Sequence, residues 1–175
     1  RNMSVLDRFL RYVVIDTQSE ENSDSFPSTS KQFNLLRLLV DELEAIGLKD
    51  ITFDEHGYVF GTIPATSSTP GVPVIGFIAH VDTSPEMSGR DVRPIVHRNY
   101  QGQDLVLPDD PSSVLRLSDN PALAEQIGHD IVTASGTTLL GADNKAGVAE
   151  IMAAAEYLMT HPEIPHGTIR VGFTP

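Results

Sequence analysis

The sequence predicts an α/β domain built on a mixed sheet, and three observations carry that expectation. Stretches with helical spacing alternate with β-prone runs along the chain. Two short β-prone segments flank Glu55-His56-Gly57, a hairpin that makes the sheet mixed rather than purely parallel. Finally, Val72 to Thr83 is a nearly unbroken apolar run, the pattern of a strand covered on both faces. The architecture expected is three layers, α/β/α.

Each element has a local cause. Ser4-Val-Leu-Asp7 reads as a capping box with Asp in the place of Glu or Gln, and Leu6, Phe9, Leu10 and Val13 follow at helical spacing until the pattern fades near Asp16. Thr17 to Ser30 is rich in Ser, Asp, Asn and Glu and reads as a loop. A second capping box, Thr29-Ser-Lys-Gln32, opens a longer helix through Phe33, Leu36, Val40 and Leu43, which Gly47 stops. The hairpin strands are Ile51 to Asp54 and Tyr58 to Ile63. His56 in their turn reads as solvated.

Pro64 to Gly71 leads into the apolar strand. From Ser84 to Gly128 Pro85, Gly89, Pro94, Gly102, Pro108, Pro111 and Pro121 break the pattern, with β candidates at Val92–Val96 and Asp104–Leu107 and a short helix from Pro121. His97 and His129 lie in or beside this stretch and read as surface residues. Ile131 to Thr133 and Thr137 to Leu140 look like short strands. The turn Gly141 to Gly147 then enters a helix with Val148, Ile151, Met152, Ala155 and Met159 on one face. His161-Pro162 ends it, with His161 placed to complement the helix C-terminus. Thr168 to Phe173 is a last strand.

Composition narrows the function classes. The formal charge of −12 argues against nucleic acid and anionic membranes as partners. No apolar segment approaches the roughly 20 residues of a membrane span. With no cysteine there are neither disulfides nor thiolate metal sites, so a metal here falls to His, Asp and Glu. A cytoplasmic protein is expected.

Candidate chemistry sits at two strand ends. Strand side chains alternate faces, so His80 and Asp82 emerge on the same side at the carboxyl edge of the apolar strand. Open α/β sheets place their ligands at that edge. An imidazole backed by a carboxylate suggests a metal ligand and the group that orients it. Taken alone, the pair more often marks a histidine that caps a loop. The second stretch is Leu140-Gly141-Ala142-Asp143-Asn144-Lys145-Ala146-Gly147, where Asp143 alone could be a helix N-cap. Neither phosphate-loop spacing nor a G-x-S-x-G nucleophile elbow is present.

Together the two stretches resemble the co-catalytic zinc peptidases of the M20 family, and most closely its tripeptide aminopeptidases. The resemblance runs from about Met3 to Pro175. Besides Gly76 to Pro85 and Thr138 to Gly147 it includes Asn99-Tyr-Gln-Gly102 and Ile164 to Pro175. It implies that His80 ligates one of two zinc ions, that Asp82 orients His80, and that Asp143 bridges both ions with a cis peptide to Asn144. Many relatives carry Asp where this chain has Asn144. The implied reaction is metal-assisted hydrolysis of a tripeptide, with a glutamate as general base.

By the same resemblance, that glutamate, three further ligands and a lid or dimerisation domain belong after Pro175. The 175 residues are thus expected to be the N-terminal portion of a catalytic domain, truncated and inactive alone, from a protein whose complete form could be a homodimer. An M20-type deacylase or dipeptidase is the alternative enzyme, and a non-catalytic α/β module the alternative of another class.

Overall fold

The computed structural model describes residues 2–175. In chain order the elements are α1 (Val5–Val13), α2 (Gln32–Ile46), β1 (Lys49–Phe53), β2 (Val59–Ile63), β3 (Ile75–His80), β4 (Ile95–His97), β5 (Leu105–Val106), β6 (Val114–Leu115), a 3-10 turn (Pro121–Gln126), β7 (Ile131–Thr133), α3 (Ala142–Thr160) and β8 (Ile169–Thr174). The main sheet runs β1-β2-β8-β3. Its first three strands are antiparallel and β3 pairs parallel to β8, so the sheet is mixed as the hairpin predicts. The small ribbons β4-β7 and β5-β6 organise the loop-rich stretch.

Register sorts the two faces. Val59, Phe173 and Ala79 stand in line across β2, β8 and β3, as do Ile63, Ile169 and Ile75. All of these except Ile75 join the buried core with Leu36, Leu39 and Leu43 of α2 and Val148, Met152 and Ala155 of α3. Helix α2 lies against β1 and β2, α3 lies against β2 and β3, and α1 rests on α3. The opposite face carries Phe60, Gly172 and Ile78 in one row and Thr62, Arg170 and Gly76 in the next. There Arg170 donates to Thr62 Oγ1 at 2.6 Å and sits over the Phe60 ring. The α/β class and mixed sheet are those expected, but among the described residues only one helical layer is present.

The reading of β3 as a covered strand needs correction. Ile75, Phe77 and Ile78 are 48%, 50% and 67% exposed, because β3 pairs on one side only and forms an edge of the sheet. Thr137 to Leu140 is not a strand either. Gly136 at φ +122° bends the chain there, and Leu139 N–H bonds to Ser88 O rather than to a ladder.

The caps are of unequal quality. Both limbs of the Ser4–Asp7 box are formed. The Thr29–Gln32 box is not: α2 begins after Lys31 without a side-chain cap, and the Thr29 hydroxyl donates to Gln18 O while accepting from the Gln32 side-chain Nε2 rather than from a backbone N–H. Gly47 closes α2 in the left-handed conformation. At the far end of α3, His161 Nδ1 lies 2.8 Å from Tyr157 O.

One buried polar cluster ties the three helices together. Arg8, 3% exposed, donates to Glu156 at 2.7 Å, while Glu42 takes the Tyr12 hydroxyl and pairs with Arg8 and Arg11. Burial, reinforced by Glu42, raises the Tyr12 hydroxyl well above the usual phenol range.

Candidate metal centre

The sheet delivers His80 and Asp82 to its carboxyl edge. Pairing with β8 continues one step past β3, where Val81 N–H donates to Thr174 O at 2.8 Å, so His80 leaves from ordered strand. Val81 is fully buried, which turns its neighbours His80 and Asp82 to the other side. The loop after α1 then clamps the strand exit. Thr17 Oγ1 donates to Val81 O at 2.6 Å, Thr83 N–H to Thr17 O, and Ser19 N–H to Thr83 O at 3.0 Å.

Asp143 arrives on the first turn of α3, which is not regular helix. Gly141 is left-handed at φ +85°, and a Cβ there would sit 3.2 Å from Thr83 Cγ2. Asp143 and Asn144 have non-helical dihedrals, and the peptide joining them is cis. Regular geometry follows from Lys145, whose N–H donates to Gly141 O at 3.1 Å. This backbone holds the Asp143 carboxylate clear of the helix, with its side chain 94% exposed.

These three side chains, from positions 80, 82 and 143, meet at one imidazole. His80 Nδ1 lies 2.6 Å from Asp82 Oδ1, and Nε2 lies 3.1 Å from Asp143 Oδ1. The group borders an open cleft of about 460 Å³ whose other walls include Ser19, Pro85 and Leu139. Neither His97 nor His129 reaches it. His97 bonds to Thr133 Oγ1 at 2.8 Å, and burial lowers its imidazole below the ordinary value. Ser19 was not visible as a site residue from sequence, because a loop serine carries no pattern that points to a distant strand.

Lys145 is also part of this region. It is 1% exposed, its Nζ donates to Ile15 O at 2.7 Å, and burial lowers its ammonium to about 8 while nearby Asp16 acts in the other direction. Asp16 itself feels burial, which acts upward. The bonds from Lys31 and Gln18 N–H outweigh it and hold the carboxyl below its usual value.

The donor set suits a divalent metal. Two ligands at about 2.0–2.1 Å from a tetrahedral ion stand roughly 3.3 Å apart, close to the 3.1 Å between His80 Nε2 and Asp143 Oδ1. The carboxylate on Nδ1 is the customary orienting partner of a metal-bound histidine. Two ligand atoms do not complete a site, and among the described residues no three His, Asp or Glu side chains are grouped to hold one ion. Nor does any described helix have the length and apolarity to cross a membrane.

No family model matches the chain. Peptidase T of Alkaliphilus oremlandii is 54% identical over 98% of this chain and 42% of its own length. Peptidase T of Desulfitobacterium hafniense is 57% identical over the same shares. The chain thus spans 42% of the length of these curated relatives. Among solved structures, aminopeptidase PepT from Bacillus cereus matches with a TM-score of 0.61 at 21% identity, over 97% of this chain and 35% of that one. A tripeptidase from Staphylococcus aureus matches with 0.60 at 22% identity, over the same shares. At that identity the two solved structures speak for the fold.

Proposed function

We propose that the chain, 54% and 57% identical to two peptidases T over 42% of their length, belongs to that family and contributes His80, Asp82 and Asp143 to a two-zinc centre of an aminopeptidase that removes the N-terminal residue of tripeptides. The observation that carries this reading is the single imidazole held between two carboxylates, 2.6 Å from Asp82 and 3.1 Å from Asp143. With Asp82 accepting the Nδ1 proton, the Nε2 lone pair faces the cleft as a ligand. Asp143 presents an exposed carboxylate with two oxygens, the requirement for a group shared between two ions.

Zinc bound there would polarise the scissile carbonyl and lower the pKa of water toward 7. The chain's own part is to fix the ligand atoms: Asp82 sets the imidazole plane, and the left-handed Gly141 lifts Asp143 off the helix toward it. No carboxylate other than Asp82 and Asp143 lines the cleft among the described residues. The proton-transferring group and remaining ligands are therefore assigned to the length of the relatives that this chain does not span, with residues 1–175 as the N-terminal portion of the catalytic domain. Cytoplasmic location is part of the same reading, and a cysteine-free chain is compatible with a reducing compartment.

The test is expression of the complete reading frame, followed by metal analysis and a substrate panel. Tripeptide cleavage that is lost on chelation, restored by zinc and abolished in His80→Ala and Asp143→Ala supports the proposal. Activity that survives chelation, or survives His80→Ala, overturns it. Cleavage of N-acyl amino acids or dipeptides in preference to tripeptides would move the assignment to a deacylase or dipeptidase.

A further inference from the structure

Lys145 is a buried ammonium that the proposed chemistry does not use. Burying a cation is costly unless it is well bonded, and an apolar side chain of similar volume would fill the same space without that penalty. Among the described residues one hydrogen bond satisfies it, to the Ile15 carbonyl at 2.7 Å. What distinguishes that bond is where its two ends lie.

One end is the turn that carries Asp143. Lys145 lies two residues beyond Asp143, and its stem passes Gly141, with Cδ 3.6 Å from the point a Cβ would occupy there. The other end is Ile15, two residues beyond the last residue of α1. The loop there is fastened in sequence: Asp16 by Lys31 at 3.0 Å, Thr17 by Val81 O and Thr83 N–H, Ser19 by Thr83 O. Val81 and Thr83 flank Asp82, which holds His80. A closed circuit of bonds therefore runs from Asp143 through Lys145, Ile15, Thr17 and Val81 to His80, and among the described residues Lys145 is its one hydrogen bond across the gap between helix and loop.

We infer that Lys145 is a positioning residue for the metal centre: by tying the first turn of α3 to the Ile15–Ser19 loop, it sets the separation between Asp143 and the His80–Asp82 pair. The inference rests on the two-zinc reading of that site. Lys145 touches neither substrate nor ion. Its effect is to keep two ligands from different elements at the spacing that one ion requires. Removing a partner that orients a ligand typically costs about 10- to 100-fold in metal affinity.

The experiment uses the complete reading frame in wild-type form and as Lys145→Met, Lys31→Met, Met152→Ala and His80→Ala. Zinc affinity is measured by competition with a chromophoric chelator, and the visible spectrum of the cobalt-substituted protein is recorded. Met152, fully buried on α3 away from the cleft, is the control for general destabilisation. Lys145→Met should weaken zinc binding about ten-fold or more and shift the cobalt bands, while Met152→Ala lowers the thermal midpoint with affinity and bands near wild type. Lys31→Met, a partly exposed change at the loop end of the circuit, should weaken zinc by roughly three-fold, below the range for a direct orienting partner.

Wild-type affinity and bands in Lys145→Met overturn the inference, as does an equal loss in Met152→Ala. Should Lys145→Met fail to fold, Lys31→Met decides: a loss supports the inference and wild-type affinity overturns it. A wild-type protein that binds no zinc, or binds it equally in His80→Ala, instead removes the two-zinc reading itself.

Discussion

Replacing Asp82 tests the orienting role most finely, because two substitutions should give graded losses. Its Oδ1 lies 2.6 Å from His80 Nδ1, the short distance of a charge-assisted hydrogen bond. Such bonds contribute about 1.5–3 kcal/mol. The side chains of His80 and Asp82 are 41% and 29% exposed, so water weakens the bond and the lower half of that range applies, about 1.5–2 kcal/mol. At ~1.4 kcal/mol per decade, Asp82→Ala should weaken zinc binding by roughly 10- to 30-fold. Asp82→Asn keeps a neutral acceptor of the same shape and about half the bond's strength, so a loss of only ~3- to 5-fold is expected. Competition titrations of the complete protein against a chelator of known affinity measure both. Losses in the reverse order, or zinc affinity within two-fold of wild type in Asp82→Ala, would refute the orienting role.

Gly141→Ala forces a side chain onto φ +85° with a Cβ 3.2 Å from Thr83 Cγ2; the backbone term alone is about 1–2 kcal/mol, read as a lower urea midpoint together with weaker zinc binding. Glu42→Gln leaves the nearly buried Arg8 and the adjacent Arg11 without that carboxylate charge. Glu156 still holds Arg8, so a loss of about 2–3 kcal/mol in urea unfolding is expected, just below the usual figure for breaking a buried pair. Asp16 has its folded pKa depressed, so its contribution to stability is present above the unfolded carboxylate value of ~4 and disappears as pH falls through the folded one. Lys31→Met should accordingly reduce the acid-side loss of stability, seen in unfolding midpoints measured from neutral pH downward. The 175-residue chain on its own should self-associate through the unpaired edge of β3, where Phe77 and Ile78 are exposed; Ile78→Lys should shift its sedimentation profile toward monomer.

How far the sequence led depended on the range of the interaction. Local signals were readable: the Ser4–Asp7 box, the left-handed Gly47 and the hairpin all act within a few residues. The Thr29–Gln32 box matched the same pattern and failed, because the Thr29 oxygen accepts from the Gln32 side-chain Nε2 instead of the backbone N–H, while its proton goes to Gln18 O eleven residues earlier. β3 shows a similar limit. Its apolar run describes what the strand can bury, whereas its exposure follows from which strands pair with it, and β8 is its one partner in the main sheet. At the site, His80 and Asp82 were legible as a pair because strand alternation places them on one side. Asp143 could not be joined to them by spacing, being 63 residues away, and came through family resemblance alone. Ser19 and Lys145 had no signal at all. The partners of both are backbone carbonyls, those of Thr83 and Ile15, which every residue possesses.

The central claim is that His80 and Asp143 hold the same ion. Anomalous diffraction at the zinc edge from zinc-loaded crystals of the complete protein tests it directly. The account predicts a peak about 2.0–2.2 Å from both His80 Nε2 and an Asp143 oxygen, with Asp82 still bonded to Nδ1. Zinc bound elsewhere with His80 free, or a His80-bound ion that Asp143 does not reach, would contradict it.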